Sequence, residues 1–229
     1  MGAHHPEIRG IGAIQSNAAS ITHTIGGTSG ISEPGDLILI FLESANQAFT
    51  APSGYSQVTA SPQGTGTAGQ ANATRLTIFY KISNGTETTY VTGDSGDHNT
   101  VCSFVIKDVD RENPINDSAG NTAAASTALT CPAVTTTVPE CLIIIAIASD
   151  RDANSTANFS NPVNANLTSI TERIDRTFNT ALGGGLGIYT GLKSTSGSTG
   201  TTAVTQAASE ETARITLALA PLRRRIATT

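Results

Sequence analysis

Asp36-Leu37-Ile38-Leu39-Ile40-Phe41-Leu42-Glu43 and, in the second half of the chain, Cys141-Leu142-Ile143-Ile144-Ile145-Ala146-Ile147-Ala148 decide the fold. Both runs are apolar and strand-length, far short of the ~20 residues that span a bilayer. Further strand patterns surround them at residues 75–82 (RLTIFYKI), 88–92, 100–109 (TVCSFVIKDV), 186–193 (LGIYTGLK) and 213–222 (ARITLALAPL). In the first of these, Leu76, Ile78 and Tyr80 alternate with Thr77, Phe79 and Lys81, the period of two that a pleated strand requires. Turn residues punctuate the series: Pro34-Gly35-Asp36, Pro52-Ser53-Gly54, Asn84-Gly85 and Gly93-Asp94-Ser95-Gly96. Asn84-Gly85 predicts a hairpin into the strand at 88–92. Residues 170–178 (ITERIDRTF) fit a helix through Ile170, Ile174 and Phe178, but they also fit a strand with a polar face.

A weak internal duplication settles that choice. In the first half an apolar strand is followed by Phe49-Thr50-Ala51-Pro52, Ile78-Phe79-Tyr80-Lys81, a Gly turn, a Thr-rich strand and residues 101–109. In the second, the strand at 140–149 is followed by Phe159-Ser160-Asn161-Pro162, Ile188-Tyr189, a Ser/Gly turn, residues 201–205 and 213–222. Residues 170–178 then align with the strand near 55–59, so a strand is expected there. Four strands per half make a marginal unit alone, and two halves make about eight, the number in a jelly roll. The expected fold is all-β: one jelly-roll-like antiparallel β-sandwich at 13–222, built from weakly duplicated halves at about 34–119 and 138–222. An N-terminal contact arm at 1–12 and a basic tail at 223–229 flank it, and the Ala/Thr-rich segment 120–137 links the halves.

Charged residues make up only 14% of the 229 residues, against about 25% in ordinary soluble domains. Thr, Ser, Asn, Gly and Ala replace them, side chains that give up little entropy when packed against a neighbour. The net charge of −5 argues against general nucleic-acid binding, which wants a basic face. Residues 1–12 lack the basic-then-apolar pattern of a cleaved export signal. Cys102, Cys131 and Cys141 read as small buried hydrophobes of a protein folded in a reducing compartment, a Cys131–Cys141 bridge being the one alternative.

Candidate chemistry is sparse. Gly93-Asp94-Ser95-Gly96 resembles the nucleophile turn of trypsin-like serine proteases, but Asp97 stands where Gly usually follows, and no histidine is suitably placed. Gly183-Gly184-Gly185-Leu186-Gly187 lacks the Gly-Lys-Ser/Thr ending of a phosphate loop, and a strand pattern follows it. Asp150-Arg151-Asp152-Ala153-Asn154 opens like a calcium loop but has Asn161 at its twelfth position. No Cys/His spacing suits zinc. No cofactor or metal is expected, and no catalytic residue. With no Trp and 4% aromatics, aromatic stacking of sugars is not expected.

Pro34-Gly35-Asp36 with the apolar strand after it, Pro52-Ser53-Gly54-Tyr55, Phe79-Tyr80-Lys81, and residues 105–110 with Asn113-Pro114 together resemble a group of phage and prophage virion proteins. A second apolar strand, here 142–148, opens their second half. Tyr55 stands where Trp is commoner. The resemblance implies a jelly-roll sandwich of capsid exteriors or tail appendages, with no catalytic residues. It leads to the expectation of a capsid decoration (cement) protein: a homotrimer, assembled in the host cytoplasm, that binds the major capsid protein on the capsid exterior and touches neither membrane nor nucleic acid. The alternative is a tail-fibre or tail-adaptor domain adhesive to host glycans. The residues expected to meet the partner are His4, His5, Glu7 and Arg9 in the arm and Arg223, Arg224 and Arg225 in the tail.

Overall fold

The computed structural model describes residues 5–223. The first half of the chain forms β1 (Glu7–Asn17), β2 (Thr22–Thr24), β3 (Leu37–Ser44), β4 (Ser56–Gln57), β5 (Gln63–Thr65), β6 (Thr74–Ile82), β7 (Thr89–Val91) and β8 (Asn99–Lys107). The second forms β9 (Ile115–Cys131), β10 (Thr135–Thr136), β11 (Cys141–Ser149), β12 (Phe159–Val163), β13 (Thr168–Phe178), β14 (Gly184–Lys193), β15 (Gly197–Ser198) and β16 (Thr202–Leu219). One 3-10 turn, Ile25–Gly27, is the only helical element among the described residues.

The chain is an antiparallel sandwich of two six-stranded sheets, as its strand patterns predict. Each sheet is one half of the sequence. The first has the order β1-β8-β3-β6-β4, with β5 beside β4 along β6; the second has β9-β16-β11-β14-β13, with β12 beside β11 along β16. Written as positions within each half, the core order 1-8-3-6 is shared; at the edge the fourth and fifth strands both flank the sixth in the first half, whereas in the second only the fifth does and the fourth joins the eighth. A two-stranded ribbon accompanies each sheet, β2-β7 in the first half and β10-β15 in the second. The duplication faint in the sequence is therefore plain in the shared four-strand core and its accompanying ribbon.

The sheets face each other head to tail. β1 lies by β13, β3 by β14, β6 by β11, and β5 by β9 and β16. The halves are thus related by a pseudo-twofold axis through the shared core. That core holds Leu37, Leu39, Phe41, Ile78, Phe104 and Ile106 from one sheet and Ile144, Leu186, Ile188, Ile215 and Leu217 from the other. The unbroken apolar runs of β3 and β11 follow from burial of their other faces too. Ile38, Ile40 and Leu42 lie under Ile21, Ile25 and Tyr90, while Ile143, Ile145 and Ile147 lie under Val134, Phe159 and Val204. A strand covered on both faces has no polar side to show.

Several expectations are revised. Residues 7–12 do not form a free arm: they are the start of β1, paired with β8 from Glu7↔Lys107 to Gly12↔Ser103. The linking segment 120–137 is largely β9, an in-sheet partner of β16. Asn84-Gly85 does turn, with Gly85 at φ +89°, but no hairpin results. β6 pairs with β3, and β7 leaves to pair with β2. Residues 170–178 are strand, as the duplication predicts.

The second half carries an addition. β9 and β16 run past the end of β11, and β12 joins them, pairing Phe159 with Gln206 and Val163 with Ala203. Register shifts between Thr205 and Thr212 mark where this three-stranded flap leaves the sheet. It covers the outer face, burying Leu129, Cys131, Phe159 and Val204. Gly187 lacks a Cβ where the Phe159 ring lies across β14.

Candidate functional site

The residues expected to contact a partner are engaged within the chain where they are described. Arg9 donates from Nε to Asp36 at 2.7 Å and from Nη2 to Glu33 at 2.8 Å. Glu7 pairs with Lys107 at 2.8 Å, with His5 at 4.0 Å on its other side. Arg223 reaches Asp110 at 3.2 Å. His4, Arg224 and Arg225 lie outside the described residues.

One ionisable cluster is enclosed. At the end of β3, Glu43 is completely buried and contacts His98 Nε2 at 3.0 Å, while His98 Nδ1 meets Asp97 at 2.8 Å. Thr74 donates to Glu43 at 3.1 Å. Burial alone lowers the His98 pKa, but attraction and hydrogen bonding to Glu43, then to Asp97, outweigh it and raise it to about 9. Burial raises that of Glu43, with His98 opposing. Gly184 of the facing sheet caps the pair so closely that a Cβ there would strike both side chains. This is a packed ion pair without a nucleophile. Ser95, of the protease-like turn, donates instead to the His98 carbonyl at 2.8 Å.

His23 shows the opposite balance. It sits between Ser103 Oγ (2.8 Å) and Gln15 Oε1 (2.9 Å), and burial lowers its pKa to about 4, so it is neutral. The calcium-like stretch begins with a buried Asp150, raised to about 7 by burial and then by Glu210 and Glu211. Among the described residues no group of three His, Cys, Asp or Glu side chains is placed to hold a metal ion. Cys102, Cys131 and Cys141 are free, buried thiols. Burial raises the Cys131 pKa to about 12 and that of Cys141 to about 11.

Of several open clefts with polar lining, one also has a substantial apolar wall. It has a volume of about 430 Å³ and lies where β1 meets the β13–β14 edge. Ile8, Leu142 and Leu192 supply apolar lining, and Ser169, Thr171, Thr190, Arg173, His5 and Glu7 supply polar lining. Arg173 donates from Nε to Thr190 Oγ1 at 2.8 Å. Its placement comes from a bulge. Glu172 pairs with Tyr189 and Ile174 with Ile188, leaving Arg173 as the extra residue, and such bulges re-aim side chains. The sequence carries no sign of this site; the equivalence of Thr190 with Tyr80 comes from the strand register.

Comparison with protein-family models, with curated proteins and with solved structures returns no match. Among the described residues no helix is long and apolar enough to cross a membrane.

Proposed function

We propose that the chain is a structural protein of a phage particle, a decoration protein that packs on the capsid exterior and ties coat subunits together. The observation that carries this reading is the flap. Residues 122–131, 159–163 and 202–208 contain no Asp, Glu, Lys or Arg. Its outward positions are short side chains: Ala128 and Thr130 on β9, Ser160 on β12, and Ala203, Thr205 and Ala207 in the first part of β16. Val163, 65% exposed, stands at its edge. Depletion of charge marks the centres of protein interfaces, and short side chains lose little rotamer entropy on contact. The sandwich behind it is pinned by three apolar clusters, which suits a part that bears load. His98 and the three thiols are enclosed.

Counting this chain in purified particles by quantitative mass spectrometry tests the proposal. Hundreds of copies per particle, lost together with shell stability, are expected. A few to a few dozen copies, with binding of the isolated protein to host cells, would move it to a tail appendage. Absence from particles would end the virion reading.

A further inference from the structure

The pseudo-twofold axis gives the cleft at β1 and β13 a twin, where β9 meets the β4–β6 edge. The twin is smaller, about 250 Å³, and is lined by Thr59, Tyr80, Ile115, Asn116, Asp117 and Ser118. Equivalent register positions show how the two diverged. Leu39 pairs with Tyr80 in the first sheet and Ile144 pairs with Thr190 in the second. The phenol-bearing strand position in one cleft is thus a hydroxyl on a short side chain in the other. β4 pairs with β6 residue for residue, Ser56 with Tyr80 and Gln57 with Phe79. β13 instead inserts Arg173, and a second irregularity puts Ser169 at φ +55° on the same wall. A strained non-glycine residue beside a bulge is more common at functional sites than elsewhere. Three independent changes therefore enlarge one cleft, add a guanidinium to it and replace an aromatic wall with hydroxyl groups.

We infer that the β1–β13 cleft binds a sugar acid: a polyhydroxylated ring bearing one carboxylate. Arg173 is fixed by the bond from its Nε to Thr190, which leaves the two terminal nitrogens as a fork that matches a carboxylate. Thr171 and Ser169 lie beside it for ring hydroxyls, and the Glu7 carboxylate and His5 stand on the opposite wall, where further hydroxyls would donate or accept. Leu142, Leu192 and Ile8 offer an apolar surface for the C–H face of the ring. The volume falls within the 300–1,000 Å³ usual for small-ligand sites, and the twin, which has no arginine to meet a carboxylate, would reject the same ligand. This inference stands independently of the decoration reading.

Saturation-transfer NMR on the full chain tests it, with glucuronate and N-acetylneuraminate as probes and glucose, acetate and tri-glutamate as controls. Saturable binding of at least one sugar acid, with none of glucose, acetate or tri-glutamate, is expected. Arg173→Gln removes a charge-assisted contact and should weaken binding at least about tenfold. Thr190→Tyr, which copies the wall of the twin, should abolish binding with the unfolding midpoint retained; should it fail to fold, Arg173→Gln alone decides. No saturable binding of either acid, equal binding of glucose, a preference for tri-glutamate, or undiminished binding in Arg173→Gln would each overturn the inference.

Discussion

The two halves share a four-strand core order but place their charges differently. The next-to-last residue of β3 is a buried Glu43 paired in register with Thr100; at the matching positions β11 has Ala148 paired with Ala213. One residue past the Ser44 and Ser149 positions, the first half has the buried apolar Ala45 and the second the buried Asp150. The Glu43–His98 ion pair is thus a device of one half only, and the other half shows that the fold does not need it. Removing one partner of a buried ion pair leaves the other charge without compensation, which costs about 3–5 kcal/mol, whereas replacing both by apolar groups is often neutral. Glu43→Ala should therefore destabilise the chain by about 3–5 kcal/mol in chemical denaturation. The double variant Glu43→Leu/His98→Leu should recover most of that loss. A single-variant cost below about 1 kcal/mol would mean the pair is not a buried one and would break the contrast.

The same pair sets a pH dependence. With its folded pKa raised from 6.5 to about 9, His98 contributes stability that is full below pH 6.5 and lost as pH rises through 9. His23, lowered to about 4, acts in the other direction: its contribution is present above pH 6.5 and is lost as pH falls toward 4. Both histidines belong to the first half. In the second half Asp150, raised from 3.8 to about 7, is preferred protonated, so its contribution is full below pH 3.8 and lost as pH rises through 7. Asp150→Asn keeps that site neutral at every pH. The variant should gain on the parent by on the order of 2 kcal/mol between pH 4 and pH 8. Parallel stability curves for variant and parent over that range would remove Asp150 from the contrast.

Tyr80 and Thr190 give a smaller test. Tyr80 is half-buried against the shared core, so Tyr80→Thr gives up part of a ring's burial, about 1–2 kcal/mol. Its value lies in the geometry: the smaller cleft should widen toward the volume of its twin in a crystal structure of the variant. A twin cleft unchanged in volume would show that the insertion at Arg173, rather than this side chain, sets the size.

What the sequence revealed followed from where the apolar residues are concentrated. β3 and β11 announce themselves because both faces are buried, and β6 because its polar and apolar residues alternate. β9 reads as a linker because Thr122-Ala123-Ala124-Ala125-Ser126-Thr127 has no apolar alternation. It is a strand by virtue of β16, which offers it a backbone edge, so its state is decided by its partner rather than by its own side chains. Residues 7–12, part of the arm expected at 1–12, hide their strand in the same way: Gly10 and Gly12 weaken the strand signal, yet a Cβ at Gly12 would strike His23 and Ser103. The cleft was beyond reach because it depends on a one-residue bulge, and the sequence carries no mark of which residue of Glu172-Arg173-Ile174 goes unpaired. Glu43 and His98, 55 residues apart, likewise meet only through the sheet.

The flap is the largest difference between the halves, and the smallest stability effects are expected there. Ala128 and Ala203 are exposed on neighbouring strands, with Leu129 and Val204 next to them turned into the outer cluster. Ala128→Glu and Ala203→Glu should shift stability by no more than about 0.5 kcal/mol, because they touch no packed group. If this uncharged surface seats on a capsid shell, each introduced carboxylate is buried without a partner on binding, a cost of several kcal/mol, so cosedimentation with empty shells should fall at least tenfold. The first half supplies the control. Thr22→Glu and Thr89→Glu lie on the exposed β2-β7 ribbon, which covers its own sheet as the flap covers the second, and they should leave attachment unchanged. Equal loss from both pairs would point to general charge repulsion by the shell. Loss from the ribbon pair alone would place the contact on the half without a flap, and the asymmetry of the molecule would then need another explanation.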